Sequence, residues 1–247
     1  MQPPLLVGIS GPSCSGKTTL ARLLRDLFPP TQLFLLHLDD FYRTDADIPV
    51  KDGVRDWVCL EAIDQPRLEE ALREIKRQGT VPSWLLSKED QNSLGEHGVA
   101  AGEIQRLRAH VDACLQASPG WQDRRICIVD GFLLFSRDME QIWSLFDLKL
   151  FLCTGHETAK RRREARSGYV TLEGFWQDPP GYVDKVVWPN YVRHHKFLFQ
   201  DGDVEGRLDP DVCNQIGIQG MPHTAQGNML KCLAWAAEVV THAIENS

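Results

Sequence analysis

Residues 11–18 read Gly-Pro-Ser-Cys-Ser-Gly-Lys-Thr and fit the pattern G-x-x-x-x-G-K-[ST] at every fixed position. The apolar run at 5–10 predicts a buried strand before the motif, and apolar residues at helical spacing predict a helix over 17–28 after it. In such a unit the glycines let successive backbone N–H groups point at phosphate oxygens, and the helix adds the positive end of its dipole. The motif therefore predicts a phosphate-binding loop (P-loop). The alternative is a Gly/Ser-rich turn that binds nothing, and the strand and helix around the motif disfavour it.

The rest of the chain alternates apolar runs with helical patterns. Further buried strands are predicted at 33–38, 126–130 and 147–153, and further helices at 66–77, 103–115, 157–166, 183–199 and 229–244. Strands that alternate with helices pair in parallel and are covered on both faces. We therefore expect one α/β domain over 1–247, with the three-layer fold of P-loop NTPases and a mostly parallel central sheet. Segments without a clear period predict insertions at about 79–100 and 204–228, with irregular structure over 201–227, and a lid is expected at about 155–180.

The composition disfavours several classes of protein. A net charge of −7 and a pI near 5.6 argue against a nucleic-acid binder, which carries a basic surface. Seven cysteines without a CxxC pair indicate neither a disulfide framework nor a zinc cluster, and they favour a reducing compartment. No run approaches the ~18 apolar residues that span a bilayer. We expect a cytoplasmic protein without nucleic-acid or membrane partners, as a monomer or small homo-oligomer.

The P-loop assigns chemistry to particular side chains. Lys17 is expected to reach the β- and γ-phosphates of ATP, and the Thr18 hydroxyl is expected to ligate Mg²⁺. The ATP-binding residues predicted from this loop are Gly11, Ser13, Ser15, Gly16, Lys17, Thr18 and Thr19.

Three carboxylates are predicted at the same edge of the sheet as the P-loop. Asp39 and Asp40 follow the second predicted strand, and Asp130 ends the third. Ligands of open α/β sheets bind at the carboxyl ends of the strands. A carboxylate there can take the proton of an acceptor hydroxyl or support magnesium, so Asp39 is the candidate general base and Asp130 a candidate metal-site residue. The alternative for each is a turn or capping aspartate, and His37 is expected to be a buried strand residue with no acid or base role.

The basic segment 160–166 narrows the kind of P-loop protein. The chain has no Asn-Lys-x-Asp motif of the guanine-reading type, which disfavours a GTPase. Arginines along one helix beside a loop are typical of a lid that closes on transferring phosphates and neutralises their charge. A solvated basic helix face is the alternative. The residues together favour a kinase of a small alcohol, and a nucleotide-binding regulator without phosphate transfer remains the less favoured interpretation.

Several short motifs occur here together as they do in one known family. They are GxSGxxxSGKTTLA at 8–21, Asp-Asp-Phe-Tyr at 39–42, Asp-Gly-Phe-Leu-Leu-Phe at 130–135, Lys-Arg-Arg-Arg at 160–163, Pro-Gly-Tyr-Val-Asp at 180–184 and Val-Trp-Pro at 187–189. As a set they resemble the nicotinamide riboside kinases, within the wider uridine-kinase-like group. The resemblance implies ATP- and Mg²⁺-dependent phosphorylation of the ribosyl 5′-hydroxyl, which makes nicotinamide mononucleotide for NAD salvage.

The same resemblance implies roles for individual residues. Asp39 would be the general base and a magnesium-shell group. The other implied contacts are Arg162 and Arg166 to ATP, Arg163 to the ribose hydroxyls, and Asp40, Phe41, Tyr42 and the ring of Tyr169 to the acceptor.

One position departs from the family pattern. The family has an aromatic residue that stacks on the nicotinamide, followed directly by an aspartate that bonds the ribose. Here Trp57 is followed by Val58, and the nearest carboxylate is Asp56 on the other side. Asp56 and Trp57 are therefore expected to bind the acceptor, with Asp56 acting through a shifted loop. The alternative is a different acceptor, such as uridine, cytidine or another small metabolite alcohol.

Overall fold

A computed structural model describes residues 2–87, 95–121, 124–171 and 174–245. The described strands are β1 (Leu5–Ser10), β2 (Leu33–His37), β3 (Val50–Lys51), β4 (Val54–Arg55), β5 (Ile126–Asp130), β6 (Leu148–Phe151), β7 (Tyr169–Val170), β8 (Phe175–Trp176) and β9 (Ile218–Gly220). Five of them form a parallel sheet in the order β2-β5-β1-β6-β9. The pairs β3–β4 and β7–β8 are antiparallel hairpins.

Helices connect these strands and cover the sheet. The α-helices are α1 (Lys17–Leu27), α2 (Gln65–Gln78), α3 (Ala101–Ala117), α4 (Glu140–Trp143), α5 (His156–Glu164), α6 (Trp188–His195), α7 (Pro210–Ile216) and α8 (Met229–Glu245). A π-helical segment, Val183–Val187, leads directly into α6. No helix in the described part of the chain is long and apolar enough to cross a membrane.

The central strand β1 shows how the sheet separates two cores. Its side chains alternate between the faces, as a strand's must. Leu5, Val7 and Ile9 pack into a cluster with α1, α3 and α8. Leu6 packs on the other face, in a cluster with α2, α4 and α6. The predicted three-layer α/β architecture with helices on both faces is therefore confirmed.

The topology brings ligand-binding segments to one edge. The chain leaves β1 through α1 toward β2, and the later strands β5 and β6 lie on opposite sides of β1. Such a point, where connections diverge at the carboxyl ends of strands, is where open α/β sheets bind ligands. The P-loop follows β1 and occupies that point.

The structure corrects the irregular segment predicted for 201–227. This part of the chain contains α7 and the fifth sheet strand β9, whose Ile218 lies opposite Lys149 of β6. β9 has only three residues and no apolar run, so its position depends on pairing with β6 rather than on a local pattern. The expected insertions remain predictions, and 88–94 within the segment 79–100 lies outside the described residues.

Candidate active site

The P-loop backbone is shaped by two glycines. Gly11 has φ +143° and a Cβ there would lie 2.4 Å from the carbonyl oxygen of Leu152, so no larger residue fits. Gly16 has φ +97° and is the N-cap of α1, which has no side-chain cap. The first-turn N–H groups of α1 therefore have no capping side chain, and such a helix N-terminus is a ready anion site.

Lys17 and Ser15 lie within this cradle and are both buried. The Lys17 ammonium donates a 2.8 Å hydrogen bond to the carbonyl oxygen of Pro12. Burial lowers the pKa of Lys17 to about 8, against the opposing effect of nearby carboxylates. The Ser15 hydroxyl has no hydrogen-bond partner among the described residues. A phosphate group in the cradle would supply the partner for Ser15 and favour the charged form of Lys17.

Asp130 ends β5 at the centre of a hydrogen-bonded group. Thr18 Oγ1 donates to Asp130 Oδ2 at 2.5 Å. The pairing of β2 with β5 places His37 opposite Asp130, and His37 Nδ1 is hydrogen-bonded to Asp130 Oδ1. Burial by itself raises the pKa of Asp130, but His37, Thr18 and Lys17 together lower it below its ordinary value. His37 is thus a site residue that the sequence reasoning missed, because its role depends on which strand lies beside β2.

Asp39 lies just after β2 and is half-buried beside the same group. The loss of surrounding water and the negative charge of Asp130 raise the pKa of Asp39 to about 6, and Lys17 and His37 oppose the rise. A carboxylate with a pKa near neutrality is suited to accept a proton at physiological pH. Two neighbouring carboxylates with opposite pKa displacements indicate different roles for them.

Two cavities meet at the P-loop. The larger has a volume of about 720 Å³, within the usual range for ligand sites, and contains P-loop residues, Thr154, Arg162 and Asn228. Residues 95–98 of the predicted insertion also line this cavity. The smaller cavity, about 90 Å³, shares Cys14, Gly16, Thr19 and Arg166 with the larger one. Its other walls are Ser13, Lys17, Thr18, His37, Asp39, Tyr42, Trp57, Val58, Asp130, Gly131, Phe132, Arg163, Tyr169, Val170, Thr171 and Trp176.

The arginines of α5 and the residues just after it reach the P-loop. Arg162 Nη1 donates to the carbonyl oxygen of Cys14 at 3.2 Å. Arg163 Nη1 donates to Ser13 Oγ at 2.7 Å, while its Nε and Nη2 bond both oxygens of Asp178 at 2.6 and 3.0 Å. Arg166 lines both cavities. The basic segment thus contacts the phosphate cradle through Arg162 and Arg163, and its action as a lid stays a prediction.

The residues predicted to contact the acceptor divide into those that line the smaller cavity and those that do not. The first group is Asp39, Tyr42, Trp57, Arg163 and Tyr169.

The described residues that line the smaller cavity do not include Asp40, Phe41 or Asp56, whose contacts with the acceptor remain predictions. Phe41 is 2% exposed and packs in the core, and Asp40 is buried. The buried Asp56 carboxylate receives hydrogen bonds from Asn190, which donates to both oxygens at 2.8 and 3.0 Å, and from Lys51 at 2.8 Å. These bonds give the buried Asp56 carboxylate its partners within the fold.

No protein-family model matches the chain. Comparison with individual known proteins does find relatives, and those described here are of one kind. It is 43% identical over 205 residues to a nicotinamide riboside kinase of Schizosaccharomyces pombe, covering 83% of this chain and 84% of that protein. It is 37% identical to the nicotinamide riboside kinase of Saccharomyces cerevisiae, covering 83% of each. It is 32% identical to nicotinamide riboside kinase 2 of Mus musculus, covering 80% of this chain and 83% of that protein.

These similarities extend over most of the chain and of each relative. They agree with the five-stranded parallel sheet, the P-loop after β1 and the arginines placed over it. The chain belongs to the nicotinamide riboside kinase family.

Proposed function

We propose that this protein transfers the γ-phosphoryl group of ATP to the 5′-hydroxyl of nicotinamide riboside, which gives nicotinamide mononucleotide for NAD salvage. The observation that carries the proposal is the smaller cavity, because P-loop residues, Asp39 and aromatic rings line it together. An acceptor ring held by the aromatic wall would place its alcohol near both the base and the phosphates. Family membership supports the same acceptor.

The larger cavity is the proposed site of ATP. The backbone and side chains of 11–19 would bind the phosphates, with Lys17 at the β- and γ-phosphates. Arg162 and Arg166 would neutralise charge on the transferring group, since both line this cavity. Positioning and charge stabilisation are the main requirements of phosphoryl transfer.

Thr18, Asp39 and Asp130 are the residues that would hold Mg²⁺. In the described parts of the chain no cluster of three or more His, Cys, Asp or Glu side chains could hold a metal ion alone. Two carboxylates and a hydroxyl are a donor set that fits Mg²⁺, which proteins bind through one or two carboxylates while phosphates and waters complete the shell. When bound, the ion would neutralise phosphate charge.

Asp39 is the proposed general base. It would take the proton of the 5′-hydroxyl as the hydroxyl oxygen forms its bond to the γ-phosphorus and the bond to the bridging oxygen of ADP breaks. Its pKa near 6 leaves it mostly charged at neutral pH, ready to accept that proton. Asp130, with its lowered pKa, would stay ionised throughout.

A second candidate function keeps the chemistry and changes the acceptor. Val58 puts an apolar side chain in the wall of the smaller cavity, and Asp56 does not reach it. A less specific contact with the ribose hydroxyls would admit uridine, cytidine or another small alcohol.

We also propose a cytoplasmic location, and a monomer or small homo-oligomer as the working form.

An acceptor panel tests both candidates. ADP release from Mg-ATP would be followed with nicotinamide riboside, uridine, cytidine and no acceptor. The proposal expects ADP release that requires an acceptor and is fastest with nicotinamide riboside. Faster turnover of uridine or cytidine would support the second candidate, and ADP release that needs no acceptor would exclude both.

A further inference from the structure

One wall of the smaller cavity, formed by Trp57 and Val58, is a short segment outside the helices and strands. It lies between β4 and a 3₁₀-helical turn, Leu60–Ala62. Both side chains line the cavity, and each residue is only 4% exposed. Because no helix or strand ladder fixes this stretch of backbone, its position depends on the side chains that bond it.

The Asp56 carboxylate is the centre of the hydrogen bonds that hold this wall. It is buried, and its Oδ1 accepts the Val58 N–H at 3.2 Å. Asn190 of α6 donates from Nδ2 to both carboxylate oxygens, and Lys51 of β3 donates to Oδ2. A buried charge is stable only while such partners remain. A change at Asn190 is therefore transmitted through Asp56 to the backbone of the wall.

Asn190 and Lys51 differ in how firmly the fold holds them against Asp56. The Lys51 side chain is 52% exposed, so water can replace its bond to the carboxylate. Asn190 is buried in α6, a helix that also packs Tyr191 into the core. Asn190 is not among the described residues that line the two cavities, so it reaches a bound acceptor only through Asp56.

We infer that Asn190 is a positioning residue of the acceptor site: through the Asp56 carboxylate it fixes the backbone that presents Trp57 and Val58 to the cavity. This inference rests on the proposed function, which makes that cavity the acceptor site. It goes beyond the proposed function by assigning the position of the wall to α6. Asp56 then serves the acceptor site through the wall instead of bonding the acceptor itself.

Exchanging the two polar groups separates positioning from a general loss of structure. Asn190→Asp places two carboxylates against each other. Adding Asp56→Asn restores one carboxylate and one amide, and the amide oxygen at position 56 still accepts the Val58 N–H. Asn190→Leu keeps the approximate size of the side chain and removes both donor hydrogens. Asn214→Asp, at an exposed position of α7, is the matched control for the added charge.

The first measurement is amide hydrogen exchange of the protein without ligands, followed by mass spectrometry. We expect peptides that cover 55–59 to exchange about tenfold faster or more in Asn190→Asp and Asn190→Leu, because local opening of the wall then breaks fewer bonds. The double variant should return close to the wild-type rate, and peptides of β5 should be unchanged throughout. Unchanged exchange at 55–59 in both single variants would overturn the inference, whatever acceptor the protein uses.

The second measurement is kcat and KM for nicotinamide riboside and for ATP. A displacement of about 1 Å in a binding wall can cost about 10²-fold, so both single variants should lower kcat/KM for nicotinamide riboside by about tenfold or more. KM for ATP should stay within about twofold of wild type, because the P-loop is intact. The double variant and Asn214→Asp should stay within about threefold of wild type for both substrates.

Three kinetic outcomes would contradict the positioning role of Asn190. The first is a wild-type kcat/KM for the acceptor in both single variants. The second is an equal loss for the acceptor and for ATP, which would indicate a general loss of structure. The third is a double variant that recovers slow exchange but not kcat/KM, which would assign Asp56 a direct bond to the acceptor.

The wild type tests the proposed function separately. If it does not phosphorylate nicotinamide riboside, that proposal fails, and the hydrogen-exchange result still decides whether Asn190 holds the wall. The kinetic comparison is then made on the nucleoside that the wild type uses fastest, and a wild-type kcat/KM there in both single variants overturns the role of Asn190.

Discussion

At the scale of single residues, Asp39 and Asp130 show how two neighbouring carboxylates acquire different properties. Asp130 receives hydrogen bonds from Thr18 and His37, which hold its pKa below the ordinary value. The pKa of Asp39 is raised to about 6 by the loss of water around its carboxylate and by the negative charge of Asp130. Asp39 lines the smaller cavity, and a raised pKa suits the base role proposed for it, because proton acceptance is most efficient near the working pH.

Replacing Asp39 by Asn directly tests whether this side chain is the general base. The amide keeps the size of the side chain but cannot take the hydroxyl proton, so kcat should fall by about 10²- to 10⁴-fold. ATP binding, measured by calorimetry, should persist because the P-loop is intact. Asp26→Asn makes the same charge change at an exposed position near the end of α1 and should leave kcat unaltered. A kcat near the wild-type value in Asp39→Asn would remove Asp39 from this role.

The pH dependence of kcat/KM should follow the ionisation of Asp39. Its raised pKa means that it is charged above about 6 and becomes protonated as the pH falls through that value. The rate should therefore be lost on the acid side, with an inflection at or below pH 6, because bound Mg²⁺ favours the charged form. Initial rates between pH 5 and 8, with substrates kept below KM, would show it. A rate that increases toward pH 5 would contradict this assignment.

At the scale of elements, α5 and the residues just after it place arginine side chains against the P-loop and in the walls of both cavities. Its residues Arg162 and Arg163 bond P-loop groups, and Arg166 follows just beyond its end. The arrangement places positive charge beside the P-loop, where we propose that the phosphoryl group is transferred. Such preorganised charge acts on the transition state more than on the bound substrate.

Arg166→Ala should therefore lower kcat by about 10²-fold or more, since a charge-stabilising donor is lost. Arg161→Ala serves as the control, because Arg161 is an exposed arginine of α5 that lines neither cavity. Its kcat should stay within about twofold of wild type. Stopped-flow or steady-state ADP release would measure both variants. An equal decrease of kcat in the two variants would show that the rate depends only on the total positive charge of this segment.

The sequence predicted the elements with strong local patterns and missed those defined by pairing. Apolar runs predicted β1, β2, β5 and β6, whereas β9 has three residues and is held in the sheet by β6. The P-loop side chains and Asp39 were predictable, because motif spacing and strand ends place them. Asp56 was expected in the pocket because it adjoins Trp57. In the structure its carboxylate bonds Lys51, which is near in the chain, and Asn190, which is distant and which no local pattern indicates.

At the scale of the whole molecule, the site depends on the two cores that hold the sheet. The C-terminal helix α8 packs against α1 and α3, and α1 carries Lys17 and Thr18. Met229, at the start of α8, also lines the larger cavity. The C-terminal part of the chain is therefore both a component of the core and a wall of the proposed ATP site.

Leu233→Ala tests this dependence. Leu233 is fully buried in the cluster shared by α1, α3 and α8, so truncation should lower the free energy of unfolding by about 2–5 kcal/mol. Lys231→Ala, at an exposed position of the same helix, should change it by less than about 0.5 kcal/mol. Urea denaturation followed by circular dichroism measures both. A similar decrease in the free energy of unfolding in the two variants would argue against the packing of α8 in this core.

The central claim is transfer of phosphate from ATP to the 5′-hydroxyl of a riboside, and the structure of the product tests it most directly. Phosphorus NMR of the reaction of Mg-ATP with nicotinamide riboside should show a phosphomonoester coupled to the 5′-methylene protons, formed in step with ADP. The 5′-deoxy analogue should give neither product. ADP formation without a phosphorylated riboside, or at the same rate with the 5′-deoxy analogue, would contradict the claim.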